Sequence, residues 1–217
     1  MRYFIKTPWL VKKIWSSYIW DINTKEKTLY LSFDDGPHPV ATPFVLDQLK
    51  KYNAKATFFC IGKNIVVYPD IYKRILDEGH IVGNHTHNHL NGWKTKSDVY
   101  LKDVAEAARY IDSDLFRPPY GRIRLFQAKN ISKAIKNPDS KIIMWSVLSA
   151  DFDSSVTNEQ CLQNVILNAA NGSIVVFHDS EKAFSHLQYA LPGALQFFSE
   201  KGYHFKAVNE KIWRKKL

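Results

Sequence analysis

Apolar, β-prone runs alternate with amphipathic stretches almost to the end of this chain, and no other feature restricts its fold as much. Residues 28–33, 56–61, 80–84, 115–117, 141–147, 173–178 and 203–208 read as strands. Between them, residues 41–52, 71–78, 98–111, 158–170 and 187–200 carry helical periodicity. Such alternation argues for an α/β fold with parallel strands, either an open sheet or a barrel. In 98–111 the apolar set Val99, Val104, Ala107, Ala108 and Ile111 falls mainly on one face, which is expected to turn inward. Thr157 and Gly79 supply a helix start and a helix stop.

The chain has 217 residues, 45% of them hydrophobic, with 13 Phe, 11 Tyr and 6 Trp, enough to fill a sizeable core and to exclude general disorder. Neither a repeat nor a linker divides it. One domain over 28–217 is expected, preceded by an aromatic and basic lead segment, 1–27, packed against it. Phe4, Trp9, Lys12, Lys13, Trp15, Tyr18 and Trp20 make that segment suited to covering an open end of the domain, and peripheral contact with a membrane surface is the alternative. Its apolar stretches are short, split by Lys12-Lys13 and without a small-residue cleavage site, so a secretory signal is not expected. No run approaches the ~20 apolar residues of a membrane helix. A cytoplasmic monomer is the resulting expectation. The net charge of +9 suits an anionic partner, yet the lysines are dispersed and no nucleic-acid motif occurs, so solvated surface is the expected role. The densest basic cluster is the tail, 211–217. Cys60 and Cys161 form no framework, and Cys60 reads as a buried free thiol.

The residues with chemistry lie just after the strands. Asp34 and Asp35 follow the first, His85 the third, Pro118 and Tyr120 the fourth and Asp151 the fifth, while His178 ends the sixth. Carboxyl ends of parallel strands are where α/β folds assemble sites. Two adjacent carboxylates on the turn Asp34-Asp35-Gly36 repel unless a cation or a shared proton lies between them. His85 and His89 are four apart, which on a helix would put both imidazoles on one face and aim His87 elsewhere. One carboxylate and two histidines are the ligand set of a catalytic metal site with open positions, and the other carboxylate then sits within reach of its water. Arg117-Pro118-Pro119-Tyr120-Gly121 is a stiff turn that starts with a planar cation able to hold a carboxylate. Trp145 to Asp153 and Val176 to Asp179 leave buried strands carrying an acid and a histidine. A buried Asp beside His178 would keep that imidazole protonated, while Asp179 either orients a neighbour or caps the next turn. No nucleophilic serine triad is evident, so the chain reads as a metal-dependent hydrolase.

In this order and at these intervals the five segments resemble the polysaccharide deacetylases of carbohydrate esterase family 4, the NodB-homology domain, from about residue 28 to 208. The resemblance implies a distorted seven-stranded (β/α) barrel. It also implies a divalent ion, zinc foremost, held by Asp35, His85 and His89. Asp34 becomes the general base, Arg117 its orienter, the Tyr120 N–H an oxyanion donor, His178 the general acid and Asp151 the residue tuning it. Pro119, Trp145, Phe152 and Val176 fall on the substrate pocket, Val176 beside the acetyl methyl. The implied reaction is removal of N-acetyl groups from a chitin- or peptidoglycan-like glycan, and the family's work on envelope glycans competes with the cytoplasmic expectation. Leu148 and Phe152 stand where the family commonly has Asp and Trp, which leaves the chemistry intact and shifts substrate preference. Hydrolysis of another acyl amide or O-acetyl ester is the nearest alternative. An inactive glycan-binding homologue is the alternative of a different class, and the retention of both Asp34 and His178 argues against it.

Overall fold

The computed structural model describes residues 3–209, so the basic tail at 211–217 lies outside the described residues. In chain order the elements are α1 (Trp9–Ile14), β1 (Thr28–Asp34), α2 (Ala41–Lys51), β2 (Thr57–Cys60), α3 (Gly62–Val67), α4 (Pro69–Asp77), β3 (Ile81–Asn84), α5 (Ser97–Ala107) and β4 (Leu115–Phe116). They continue with α6 (Leu125–Lys129), α7 (Ile131–Ile135), β5 (Lys141–Ile142), β6 (Val147–Leu148), α8 (Asn158–Ile166), β7 (Ile174–His178), α9 (Phe184–Glu200) and β8 (His204–Phe205). The strands run parallel in the order β5-β4-β3-β2-β1-β7-β6, with β8 paired to the first residues of β1. This is a curled seven-stranded sheet, a distorted barrel with helices outside.

The period of two along β1 separates two environments. Leu29, Leu31 and Phe33 face outward into the main core, where they meet Val45, Leu46 and Leu49 of α2 and Leu187, Leu191 and Leu195 of α9. The alternate residues Thr28, Tyr30, Ser32 and Asp34 face the barrel interior, and all are buried. Tyr30 packs with Phe59, Leu115, Ile143 and Ile174 inside the barrel. Polarity therefore rises toward the carboxyl end of the strand.

The predicted strand 141–147 is interrupted between β5 and β6. Ile19 takes up the free backbone there, donating to the Ile142 carbonyl at 2.9 Å and accepting from Met144 N–H at 2.7 Å. Further along, Thr7 N–H donates to Ser146 carbonyl and Leu148 N–H to Ile5 carbonyl. The lead segment thus seams the two sheet edges, and Trp20, Tyr18 and Trp15 pack into a satellite core with Tyr100 and Phe116. Trp9, Leu10 and Ile14 of α1 remain exposed. No helix among the described residues is long and apolar enough to cross a membrane.

Helix ends follow the expected signals: the Thr157 hydroxyl accepts from Gln160 N–H, and the Gln160 side chain accepts from Thr157 N–H. Gly79 adopts φ +75° after α4. The expected inward face of 98–111 needs correction. Tyr100, Val104 and Ala107 form it, at i, i+4 and i+7, whereas Val99 is 46% exposed because it is one position off that stripe. Cys60 and Cys161 are both buried free thiols.

Candidate active site

Strand register brings the candidate residues to one level. Asp34 pairs with His178 across β1–β7 and with Phe59 across β1–β2, and Asn84 pairs with Cys60 and Phe116. Asp35, His85 and Arg117 come one residue beyond these pairs. His85 N–H donates to Cys60 carbonyl and Arg117 N–H to Asn84 carbonyl, each at 3.0 Å.

Asp35, His85 and His89 present ligand atoms within 4.8 Å of one another. The helical face expected for 85–89 does not form. Thr86 and His89 have φ of 65° and 57°, and local side chains take the N–H groups a helix would use. Asn84 Oδ1 accepts from Thr86 N–H, and Asp103 Oδ2 accepts from both His87 and Asn88 N–H, each at 2.9 Å. The loop still brings the rings of His85 and His89 to 5.1 Å. His87 turns away and stacks on Tyr110.

The donor set fits a divalent cation. His85 Nδ1 lies 2.8 Å from the Arg117 carbonyl, which can only accept, so the proton is on Nδ1 and the lone pair on Nε2. Burial pushes the His85 pKa down to about 4, so the ring is neutral. Asp35 Oδ1 is 3.6 Å from His85 Nε2 and 3.0 Å from His89 Nε2, yet it is buried with no hydrogen-bond donor among the described residues. Burial opposes ionisation of Asp35, but His89 and the charge of His178 outweigh it and hold the carboxyl well below the usual range. A buried anionic oxygen facing imidazole nitrogens without a hydrogen bond is the environment a cation satisfies.

Asp34 is held from behind. Arg117 is fully buried, with Nη1 donating to Asp34 Oδ1 at 2.6 Å and to Ser32 Oγ at 2.8 Å. Its Nε and Nη2 donate to the carbonyls of Ile143 and Met144, and its guanidinium stacks on Phe59 at 3.9 Å. Each of the three guanidinium nitrogens is thus engaged, with four of the five N–H donors used.

His178 is held by Asp151, which is fully buried and accepts from the His178 N–H at 2.7 Å and from ring Nδ1 at 2.8 Å. Burial alone would lower the His178 pKa, but the Asp151 charge and hydrogen bond, with Asp35 and Asp34 nearby, raise it to about 9. Asp179 does neither of the tasks considered for it. It braces the turn after Asp34, accepting from Gly36 N–H at 3.1 Å and from the Thr42 hydroxyl at 2.5 Å. Burial pushes its carboxyl up to about 8.

These groups face one cavity of about 340 Å³ at the carboxyl ends of the strands. Asp34, Asp35, His85, His89 and His178 line it, with Tyr120, Trp145, Phe152 and Val176. Pro119 is buried in the turn Pro119–Gly121 and does not line the cavity, a correction to its expected place. Its neighbour Tyr120 has left-handed backbone, φ 60°, and sets its ring 4.6 Å from that of His89. Leu148 also lines the wall, only 4% exposed. Sequence reasoning missed Tyr3 and Lys182, which line the cavity too; neither belongs to a recognisable pattern, and only tertiary folding brings them there. A larger cavity of about 510 Å³ opens at the amino ends of the strands, lined by Tyr30, Lys55 and Phe205, away from the clustered acids and histidines.

Residues 21–137 match the family described as polysaccharide deacetylase. A peptidoglycan-N-acetylglucosamine deacetylase of Bacillus cereus is 34% identical over 199 residues, covering 89% of this chain and 92% of that protein. The peptidoglycan-N-acetylmuramic acid deacetylase PdaA of Bacillus subtilis is 32% identical, over 90% of this chain and 75% of its own. Among solved structures, a peptidoglycan N-acetylglucosamine deacetylase superposes with TM-score 0.82 at 31% identity, covering 93% of this chain and 95% of its own. The chain spans as little as 38% of other relatives, such as PgdA of Listeria monocytogenes.

Proposed function

Because the chain belongs to the polysaccharide deacetylase family, we propose that it is a metal-dependent hydrolase removing N-acetyl groups from an amino-sugar glycan of the peptidoglycan kind. The observation that carries this reading is the meeting of two separately braced proton-handling pairs, Arg117–Asp34 and Asp151–His178, with the Asp35–His85–His89 triad at one cavity. Zinc is the ion that best suits two imidazoles and a carboxylate. Asp35, His85 and His89 would hold it, and it would supply Lewis-acid polarisation of the acetamide carbonyl and lower the pKa of the attacking water.

The chain's own residues do the rest. Arg117 engages Oδ1 of Asp34, and no hydrogen bond to Oδ2 occurs among the described residues, so Oδ2 keeps its lone pairs for the proton of water. The left-handed turn at Tyr120 supports its backbone N–H as a donor to the developing oxyanion. His178, with Nδ1 committed to Asp151, delivers its proton from Nε2 to the departing nitrogen. The C–N bond breaks, and acetate and a free amine leave. The raised pKa of His178 favours an amide over an O-acetyl ester, since an amine nitrogen needs a proton to depart and an alkoxide needs it less.

The test is release of acetate, with matching formation of primary amine, from N-acetylated peptidoglycan strands. Wild type should release both in equal amounts, and Asp34→Asn should release both more slowly by roughly 10²-fold or more. Wild-type protein loaded with zinc that releases no acetate from any N-acetylated glycan would end this reading.

A further inference from the structure

Lys182 carries the one positive charge on the cavity wall that no carboxylate among the described residues pairs. The other charged groups there have assigned places: Asp34 pairs with Arg117, His178 pairs with Asp151, and Asp35 belongs to the triad that fits a cation. No carboxylate among the described residues forms an ion pair with Lys182, although its side chain lines the cavity. Its backbone is well fixed. The turn that bears it starts at Asp179, whose N–H donates to the Asp34 carbonyl at 3.1 Å, and ends at the fully buried Ala183, whose N–H donates to Ser180 carbonyl at 3.2 Å.

The side chain of Lys182 is exposed, and its ammonium lies beside an aromatic ring of the wall. Nζ stands 5.9 Å from the ring of Phe152, and the other contacts of that ring are edge-on to Tyr3 at 5.4 Å and His178 at 5.0 Å. Leu148 and Val176 continue the wall. Phe152 is therefore the single ring between the ammonium and the proposed acid. A substituent on the sugar whose acetamide lies at His178 can reach past Phe152 to Lys182. A neutral N-acetylated sugar brings nothing there that needs a cation, and Leu148 and Phe152 offer its hydroxyls no partner. A carboxylate there would meet Lys182, an exposed ammonium at the rim of the cavity, and pair with it through a salt-screened attraction.

Resting on the hydrolase reading above, we propose that Lys182 is a specificity-determining residue that pairs with a carboxylate on the substrate. The preferred substrate is then an N-acetylated amino sugar bearing an acidic substituent, such as the lactyl ether of a muramic unit, over the neutral sugar.

Two readouts test this. In kinetics, wild type and Lys182→Met are compared on N-acetylmuramic-acid-containing strands, the same strands with the carboxylate blocked as its methylamide, and N-acetylglucosamine oligomers. Lys182→Met should lose about threefold to fivefold in kcat/KM on the free carboxylate, through KM, with no matching change on the other two. Lys182→Arg should restore most of the loss, and high salt should erode the wild-type preference. In binding, the same glycans are titrated into Asp34→Asn with and without Lys182→Met, so that turnover is not needed. A selective loss of affinity for the free carboxylate supports the proposal even if no acetate is ever released, an outcome that would sink only the hydrolase reading. Equal losses on all three glycans, or wild-type binding indifferent to blocking the carboxylate, overturns it.

Discussion

Replacing Arg117 with Met tests the electrostatic frame of the site. Methionine fills much of the same volume against Phe59 but leaves the Asp34 carboxylate, 3% exposed, with no counter-charge. It also removes the donors that serve Ser32 Oγ and the Ile143 and Met144 carbonyls. Breaking a buried ion pair from one side costs about 3–5 kcal/mol, chiefly through the stranded charge. For a chain of this length that corresponds to a Tm lower by about 6–20 °C. In an Asp34→Asn background the stranded charge is gone, and the same change should cost only the lost bonds to neutral acceptors, about 1–3 kcal/mol. The double-mutant cycle, read by circular dichroism melts and urea titration, should therefore give a coupling energy on the order of 2 kcal/mol. Equal costs in the two backgrounds, or a Tm for Arg117→Met within 2 °C of wild type (roughly 1 kcal/mol or less on the same scale), would refute the reasoning.

Other outcomes follow from the same geometry. Asp34→Asn should bind zinc as wild type does in a calorimetric titration while turnover falls by roughly 10²–10⁴-fold, the usual worth of a general base; loss of zinc binding instead would mean that Asp34 and Asp35 share the ligand role. Since His178 must be protonated to act and its pKa is raised to about 9, the alkaline limb of the activity profile should fall as pH rises through that value. Asp151→Asn removes the largest influence that raises that pKa, so the alkaline limb should move to lower pH, and an unmoved limb would dismiss His178 as the acid. A Cβ at Gly36 would overlap Asp179 Oδ2, so Gly36→Ala should displace the turn carrying Asp35 and weaken zinc affinity by tenfold or more in a competition titration, with an unchanged affinity counting against the brace.

Much of this architecture could be read from residue patterns. Residues 28–33 were recognisable as a strand because both faces of β1 are buried, one by helices and one by the barrel. The run 141–147 looked continuous because apolar residues pattern alike whether they pair with a strand or with a lead segment from far upstream. Here Ile19 takes the backbone of 142 and 144, and the carbonyls of Ile143 and Met144 turn to Arg117. His85 and His89 were recognisable by type and order, though their helical spacing was incidental: Asn84 and Asp103 hold a loop that no period describes. Tyr3 and Lys182 were invisible because their approach to the cavity depends wholly on how the lead segment and the β7–α9 turn pack.

The central claim is that one cation held by Asp35, His85 and His89 is required for hydrolysis. It is tested most directly by stripping the protein with a chelator, titrating zinc back, and following bound metal and acetate release from N-acetylated glycan in one experiment, for wild type and His89→Ala. The account predicts that acetate release rises in proportion to occupancy and saturates at one zinc per chain, and that His89→Ala loses both. Full turnover by the metal-free protein, or zinc binding by His89→Ala equal to wild type, would contradict it.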